Sequence, residues 1–534
     1  MKHIKKHWYI IVVLLLVIVR FLISYKLPNF YIHGMAYDDN LMLSQFKSIV
    51  NGDYLGNYNN TTLIKGFVYP YVLALSDILK INFNTFLTIF YILSCIYFVR
   101  SLKNIVDNKY ALLIVFTVIL FNPISYSSDL FQRLYRNSLS VIELLFFLGT
   151  IIRIITNKKN NILNYVLLGI ILSFMYLTRE DNIWTLPIIG LVFIYKLYKN
   201  IHIKSILINL IPVFILVLSL NIVSYINYRS YGVYTYNEIK KSSFKDAYIN
   251  ILRIKEDKKY DNVAINKKTF YKIIDNSDIL GFDKDYLDKQ YKNIKDKYGE
   301  VDNGNIVWYF RNWIYNTHNF KNGKEANKYF KELDKEIDRL FKEKKLEKER
   351  IIPSVLINTP TTKDLKQFPK SILNAVLYTT TYKNVMTFSD IRNNTNIVAY
   401  IYDYDLDVYG IIYYDYRNTD VMPGNNDIKY ESIRVVYEYL TIVFSIVALI
   451  VYILNIRKLD ILNIFIHLIL VSYLIIILGV SYTDATAYHA IRYMYLGNTY
   501  ILQSLFILLN MYRLYLNKYT KKKDNNSKKK KTKK

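Results

Sequence analysis

The chain has 534 residues, of which 52% are apolar, 16% aromatic and only 21% charged, yet its formal net charge is +27. That apolar fraction excludes an intrinsically disordered chain, which buries too little to fold. The gathering of the apolar residues into long blocks excludes the three or four soluble domains that length alone would suggest. A single cysteine, Cys95, excludes an intramolecular disulfide and a cysteine-based zinc site. Tyr, Lys, Asn and Ile are abundant throughout, a compositional bias that takes weight from lysine counts; where the charge sits says more than its sum.

A bilayer core of about 30 Å takes about 20 apolar residues in a helix. The first such segment runs over 8–27, after the basic start Lys2, Lys5 and Lys6. No small-residue cleavage site follows it, so it reads as a retained helix and not as a secretory signal. Further apolar segments lie at 81–101, 110–126, 138–156, 161–178, 182–198, 205–226, 433–455, 461–481 and 493–516. The sequence therefore predicts an all-α polytopic membrane protein of about ten transmembrane helices. Its parts are a membrane domain of seven spans over 1–226, a mostly helical mixed domain over 227–432 inserted between spans seven and eight, three spans over 433–516, and a disordered basic tail over 517–534. Within the insert, Glu325–Leu346 and Ile306–His318 have helical spacing, the second carrying Trp308 and Trp313 as core residues or sugar-stacking rings. Tyr402–Val408 alternates apolar residues with Asp403, Asp405 and Asp407, the period of a strand.

Basic residues cluster in alternate loops: Arg100 and Lys103; Arg153, Lys158 and Lys159; Lys196, Lys199 and Lys204; Arg457 and Lys458. By the positive-inside rule these loops are cytoplasmic. Both termini and most of the +27 then fall on the cytoplasmic side of the cell membrane, and the 227–432 insert is extracytoplasmic. The basic tail adjoins a span and an anionic leaflet, so it predicts a membrane-surface role and no nucleic-acid partner.

The opposite face collects acids and arginines at the ends of spans. Asp38-Asp39 lies about ten residues beyond the first span, followed by Gly66-Phe67-Val68-Tyr69-Pro70-Tyr71. The next loops carry Asp129, Arg133 and Arg136, then Arg179-Glu180-Asp181, and last Asp484, His489 and Arg492. Ionised groups at membrane depth are costly unless paired or wetted. One such loop is explained by helix capping or snorkelling; four on one face, with both signs present, have the composition of a site. A carboxylate can take the proton of a hydroxyl acceptor, and arginines can hold a phosphate as a leaving group.

One helix from a basic start, an acidic pair just after it, a polytopic body and a large outer domain resemble the GT-C fold glycosyltransferases. These use a polyprenyl-phosphate sugar as donor and include the protein O-mannosyltransferases and the aminoarabinose transferases that modify lipid A. Asp38-Asp39 matches the acidic motif of that family's first outer loop, and Gly66 to Pro70 looks like its Gly-x-x-Tyr-Pro segment. The resemblance covers roughly 1–226 and extends less closely to the last three spans. The insert departs from it, because family members' soluble domain follows the last span.

The resemblance implies an inverting membrane glycosyltransferase that moves a sugar from a polyprenyl-phosphate donor to an envelope glycan, lipid or protein on the outer face of the cytoplasmic membrane. It implies Asp38 as catalytic base, with Asp39 sharing that task or orienting the donor. Arg133, Arg136, Arg492 and His489 would bind donor phosphate, and Asp129, Glu180, Asp181 and Tyr69 would position donor or acceptor. It demands no cofactor, although a divalent metal ion would suit the acids. The sequence holds no phosphate-cradling glycine loop, zinc-ligand spacing or nucleophile elbow. Three alternatives stay open: a polysaccharide polymerase or ligase of the envelope, a lipid-linked sugar transporter or flippase, and a structural envelope protein with a degenerate site. A transporter predicts charges within spans and an internal repeat; Arg20 and Glu143 are the main charges within spans, and no repeat is visible.

Overall fold

The computed structural model describes residues 2–349, 362–382 and 428–531 apart from short breaks, together with 355, 385–387 and the backbone of 411–415. In chain order the helices are α1 (Lys2–Ser24), α2 (Asp39–Val50), α3 (Val68–Ile78), α4 (Phe83–Leu102), α5 (Lys109–Leu120), α6 (Asn137–Thr156), α7 (Ile162–Thr178), α8 (Thr185–Lys199) and α9 (Ile203–Tyr231). There follow α10 (Ser243–Leu252), α11 (Lys267–Ile274), α12 (Lys284–Tyr291), α13 (Ile306–His318), α14 (Gly323–Lys342), α15 (Thr362–Thr381), α16 (Ile428–Asn455), α17 (Ile461–Thr486) and α18 (Tyr493–Lys531). Two short strands, β1 (Asn29–His33) and β2 (Ile411–Asp415), pair in parallel with Asn29 opposite Ile411. The strand predicted over Tyr402–Val408 lies outside the described residues.

Each of the ten apolar segments is helical. Among the described residues, α4, α6, α9, α16 and α17 are long and apolar enough to cross a membrane. The apolar parts of α1, α5 and α7 are shorter, and α18 is diluted by Asn498, Gln503 and Asn510. Leu207, Phe214 and Leu218 on α9, and Leu440, Ile446 and Ile453 on α16, are exposed. An apolar surface of that extent is built to face lipid. α18 runs on to Lys531, through the stretch predicted to be disordered; no proline or glycine follows Gly497 to stop a helix.

α5 is a broken helix. Its 12 residues cover only about 18 Å, and its last carbonyls are left without partners in the helix. Side chains from three other helices supply them. Tyr437 donates to Val118 O at 2.8 Å, Tyr91 to Ile119 O at 2.6 Å, and Arg20 Nε to Leu120 O at 2.9 Å. Arg20 Nη2 also donates to Ser125 O at 2.9 Å. The fully buried Arg20 thereby fixes the start of the segment that leads from α5 to α6.

α10–α14 pack around an aromatic core that is continuous with that of the bundle. Trp313 of α13 packs against Phe270, Phe282 and Tyr291, and Phe310 against Phe244 and Tyr248. α14 buries Ala326, Tyr329, Phe330, Leu333, Ile337 and Leu340, the stripe its spacing predicts. Trp308 packs on Tyr37, which donates to its carbonyl at 3.1 Å. α15 does not join this core, although the sequence places it in the soluble insert. Its Ser371 reaches Asp484 at 2.8 Å, its Thr379 reaches Tyr473 OH at 3.1 Å, and Tyr500 donates to Tyr378 O at 3.2 Å. α15 thus descends along α17 into the bundle. The chain turns at Tyr382, where φ is +49°, and Ser128 N donates to Met386 O at 2.7 Å.

Candidate active site

The acids and arginines singled out in the sequence come mainly from loops that meet at one end of the bundle. Asp38 immediately precedes α2 and Asp39 opens it. Lys65 and Gly66 precede α3; Asp129 to Arg136 lie between α5 and α6; Arg179 to Asp181 lie between α7 and α8; Asp484 ends α17, and His489 and Arg492 lie between α17 and α18.

The two acids of the first-loop pair are not equivalent. Asp39 is 0% exposed. Arg133 Nε donates to both its carboxylate oxygens at 2.9 and 3.1 Å, and Ile32 N donates at 3.1 Å. Asp39 therefore anchors Arg133 from full burial. The Asp38 side chain is 28% exposed and ion-paired with Lys65. Burial alone would raise its carboxyl, but Lys65 and Arg133 override that and hold it well below the usual carboxylate range. Lys65 Nζ also donates to Tyr135 OH at 2.9 Å. The cationic groups of Lys65, Arg133 and Arg136 stand 5.0, 5.2 and 5.7 Å from the centre of the Tyr135 ring, which gathers three positive charges by its quadrupole. Burial raises the half-buried Asp129 carboxyl, against the opposing charges of Arg133 and Arg492. Arg492 is exposed and makes no ion pair among the described residues.

Behind this group lies a supporting shell. Arg136 Nη1 pairs with Glu180 at 2.9 Å and donates to Thr178 O at 3.1 Å. Glu180 Oε1 accepts from Gly66 N at 2.8 Å and from Asn237 at 2.7 Å. A side chain at Gly66 would overlap the Leu177 carbonyl, so glycine alone lets the first loop pack this closely. Burial would raise Glu180, but Arg136 keeps it below its ordinary value. Arg136 and Glu180 are thus committed to each other and to tying three loops together. Arg179 holds Asp181 by two hydrogen bonds of 2.9 and 2.6 Å. Tyr69 is fully buried, its hydroxyl beside Ser138 and within range of the Asp39 charge.

A cavity of about 680 Å³ opens beside this junction. Its lining includes the charged Arg179, Asp181 and Lys240 and is otherwise mainly apolar, with Leu186 and Pro187 of α8 and Ile475 and Val480 of α17. His489 lies elsewhere: it is exposed, bonds Asp484 at 3.0 Å and faces a second hollow. Among the described residues, no group of three or more His, Cys, Asp or Glu side chains is placed to hold a metal ion. Sequence reasoning did not select Lys65, Tyr135, Asn237 or Lys240. Tyr135 had a local signal, since it stands between the two arginines of the loop; Lys65 had one in its place directly before Gly66. No family model, curated protein or solved structure matches the chain.

Proposed function

We propose that the protein is a membrane glycosyltransferase of about ten spans with cytoplasmic termini. It moves a sugar from a polyprenyl-phosphate-linked donor to an envelope acceptor on the outer face of the cytoplasmic membrane. One observation carries the reading: Asp38, Asp129, Arg133 and Arg492 lie within electrostatic reach of one another, and the neighbouring cavity mixes the charged Arg179, Asp181 and Lys240 with a mainly apolar lining. That profile suits an amphiphile with a phosphate head.

In the reaction, an acceptor hydroxyl attacks the anomeric carbon, the bond from that carbon to the phosphate oxygen breaks, and the phosphate leaves with the electron pair. Asp38 takes the hydroxyl proton. Because its carboxyl is held low, it is ionised at any working pH but weakly basic, so the proton moves late, once attack has made the hydroxyl acidic. The negative charge also favours an oxocarbenium-like transition state. Arg492 neutralises the departing phosphate, and Arg133, fixed by Asp39, supplies a second immobile positive charge. The test is Asp38→Asn, assayed in membranes with a labelled lipid-linked sugar. The variant inserts and accumulates normally and transfers no sugar; an Asp38→Asn protein with wild-type transfer would sink the assignment.

A further inference from the structure

The second hollow, of about 450 Å³, lies between α15 and the turn joining α17 to α18. Gln367, Lys370, Asn374, Tyr378 and Thr381 line it from one face of α15, at the three- and four-residue spacing of a helix. Asp484 and His489 close the other side. Asp484 is already occupied: it accepts from Ser371 at 2.8 Å, from His489 at 3.0 Å and from Ala490 N at 3.0 Å. The amides of Gln367 and Asn374 each donate and accept, Thr381 donates to Leu377 O at 2.9 Å, and Leu377, Ile491 and the Tyr378 ring add apolar surface. This is the chemistry of a polyhydroxylated ligand, whose hydroxyls alternate with apolar C–H faces.

Depth sorts these groups. Between Asp484 and Tyr473, two α17 residues that α15 hydrogen-bonds, α17 rises about 16 Å. The strip therefore runs down towards the middle of one of the longest apolar helices. At the deep end Thr381 is satisfied by Leu377 O at 2.9 Å, so the donors and acceptors that the groove presents are Gln367, Lys370 and Asn374, near the level of Ser371 and Asp484. The turn between the helices separates two cavities by simple alternation. Tyr488 and Ala490 face the first cavity, whereas His489 and Ile491 face the polar groove. Arg492, beside Asp129, follows at once.

We infer that this groove binds a glycan and delivers it to the charged junction from the side of the α17–α18 turn opposite the first cavity. The glycan's role as acceptor rests on the proposed transfer; its binding does not. The test uses full-length protein in lipid nanodiscs. Cys95 is buried, so Asn374→Cys provides one accessible thiol in the groove and Leu365→Cys provides one outside it. Labelling by a charged methanethiosulfonate is followed with and without chitotetraose or cellotetraose. We expect labelling at Asn374→Cys to slow about threefold at a ligand concentration of twice Kd, with no change at Leu365→Cys, and we expect Gln367→Leu to abolish the protection. Absence of protection by either tetrasaccharide, or equal protection at both thiols, overturns the inference. Asp38→Asn should retain protection while losing transfer. If it retains both, the transferase reading falls and the glycan groove stands.

Discussion

Asp38 and Asp39 differ by one position in the chain and by their surroundings in the fold. Asp39 accepts a forked guanidinium and a backbone amide in full burial; Asp39→Asn leaves the buried Arg133 without its directly bonded counter-charge, with only the more distant Asp38 and Asp129 opposing it. Loss of one partner of such a pair costs about 3–5 kcal/mol, so this variant should lower the thermal midpoint and the yield of folded protein; Asp38→Asn, which breaks a pair whose acid is 28% exposed, should lower the midpoint less and leave the protein folded. Lys65 has a different effect. The depressed Asp38 carboxyl means that its ion pair contributes stability above the unfolded pKa and loses it as pH falls through the lower folded value. Lys65→Met removes one of the two charges responsible, so the acid limb of a transfer–pH profile should move to higher pH. Asp129 has the opposite sign. Burial raises it, so its contribution to stability is present below the unfolded pKa and lost as pH rises through the folded one. Asp129→Asn should therefore raise the thermal midpoint at pH 7 by roughly 1–2 °C, and not at pH 4, while transfer falls. The acidic pair, the arginines and Asp129 were legible in the sequence because charge at span ends is conspicuous. Which acid is spent on structure was not, since that depends on the pairing of Asp39 with a residue 94 positions away. Lys65 was hidden by the general abundance of lysine.

At the scale of elements, long apolar blocks made the helices legible, and their interruptions were where reading failed. α5 stops at Leu120 because Asn122-Pro123 follows: proline has no N–H for the Ile119 carbonyl and Asn122 caps the next turn; the donors on α1, α4 and α16 that then meet its last carbonyls are what no local pattern announces. α15 was assigned to the soluble insert because its composition is polar; its descent into the bundle is held by Ser371, Thr379 and Tyr378 contacts with α17 and α18. The capped end of α5 matters for function because the segment after it carries Asp129, Arg133 and Tyr135. Arg20→Met removes the donor to Leu120 O and Ser125 O. Leaving those buried carbonyls unsatisfied costs about 2–4 kcal/mol, partly offset by no longer burying a guanidinium. Its expected signature is a lower thermal midpoint together with reduced transfer, although Arg20 touches no substrate. Tyr437→Phe removes one donor without a charge and should cost about 1 kcal/mol. A normal midpoint and full activity in Arg20→Met would show that the α5–α6 segment is held by other contacts.

Over the whole molecule, the two ends of the bundle differ in kind. At the end opposite the charged junction, loops distant in sequence are tied through their polar and basic residues: Arg153 Nε donates to Ser101 at 2.9 Å, Lys196 Nζ to Asn157 O at 2.9 Å, and Lys458 Nζ to Asn517 at 3.0 Å. These residues lie in or beside the basic segments that the positive-inside rule assigns to the cytoplasm, so the fold gathers at one end what the sequence scatters over several loops. The mixed-sign junction and the aromatic α10–α14 core belong to the other end. A short α5 and a 17-residue α7 span less than a full bilayer as straight helices, and the charged junction is set between their ends and the starts of α6 and α8. Orientation then decides the chemistry, because a donor presented on the outer leaflet can meet Asp38 only if the basic end is cytoplasmic. An alkaline phosphatase fusion at about residue 300 should be active, and a fluorescent-protein fusion at about residue 458 should fluoresce, since each reporter works on one side only. The reverse pattern would place Asp38, Asp129 and Arg492 in the cytoplasm, where an outer-face transfer from a polyprenyl-phosphate donor cannot occur, and the proposed reaction would fail on topology alone, whatever the Asp38 variant does.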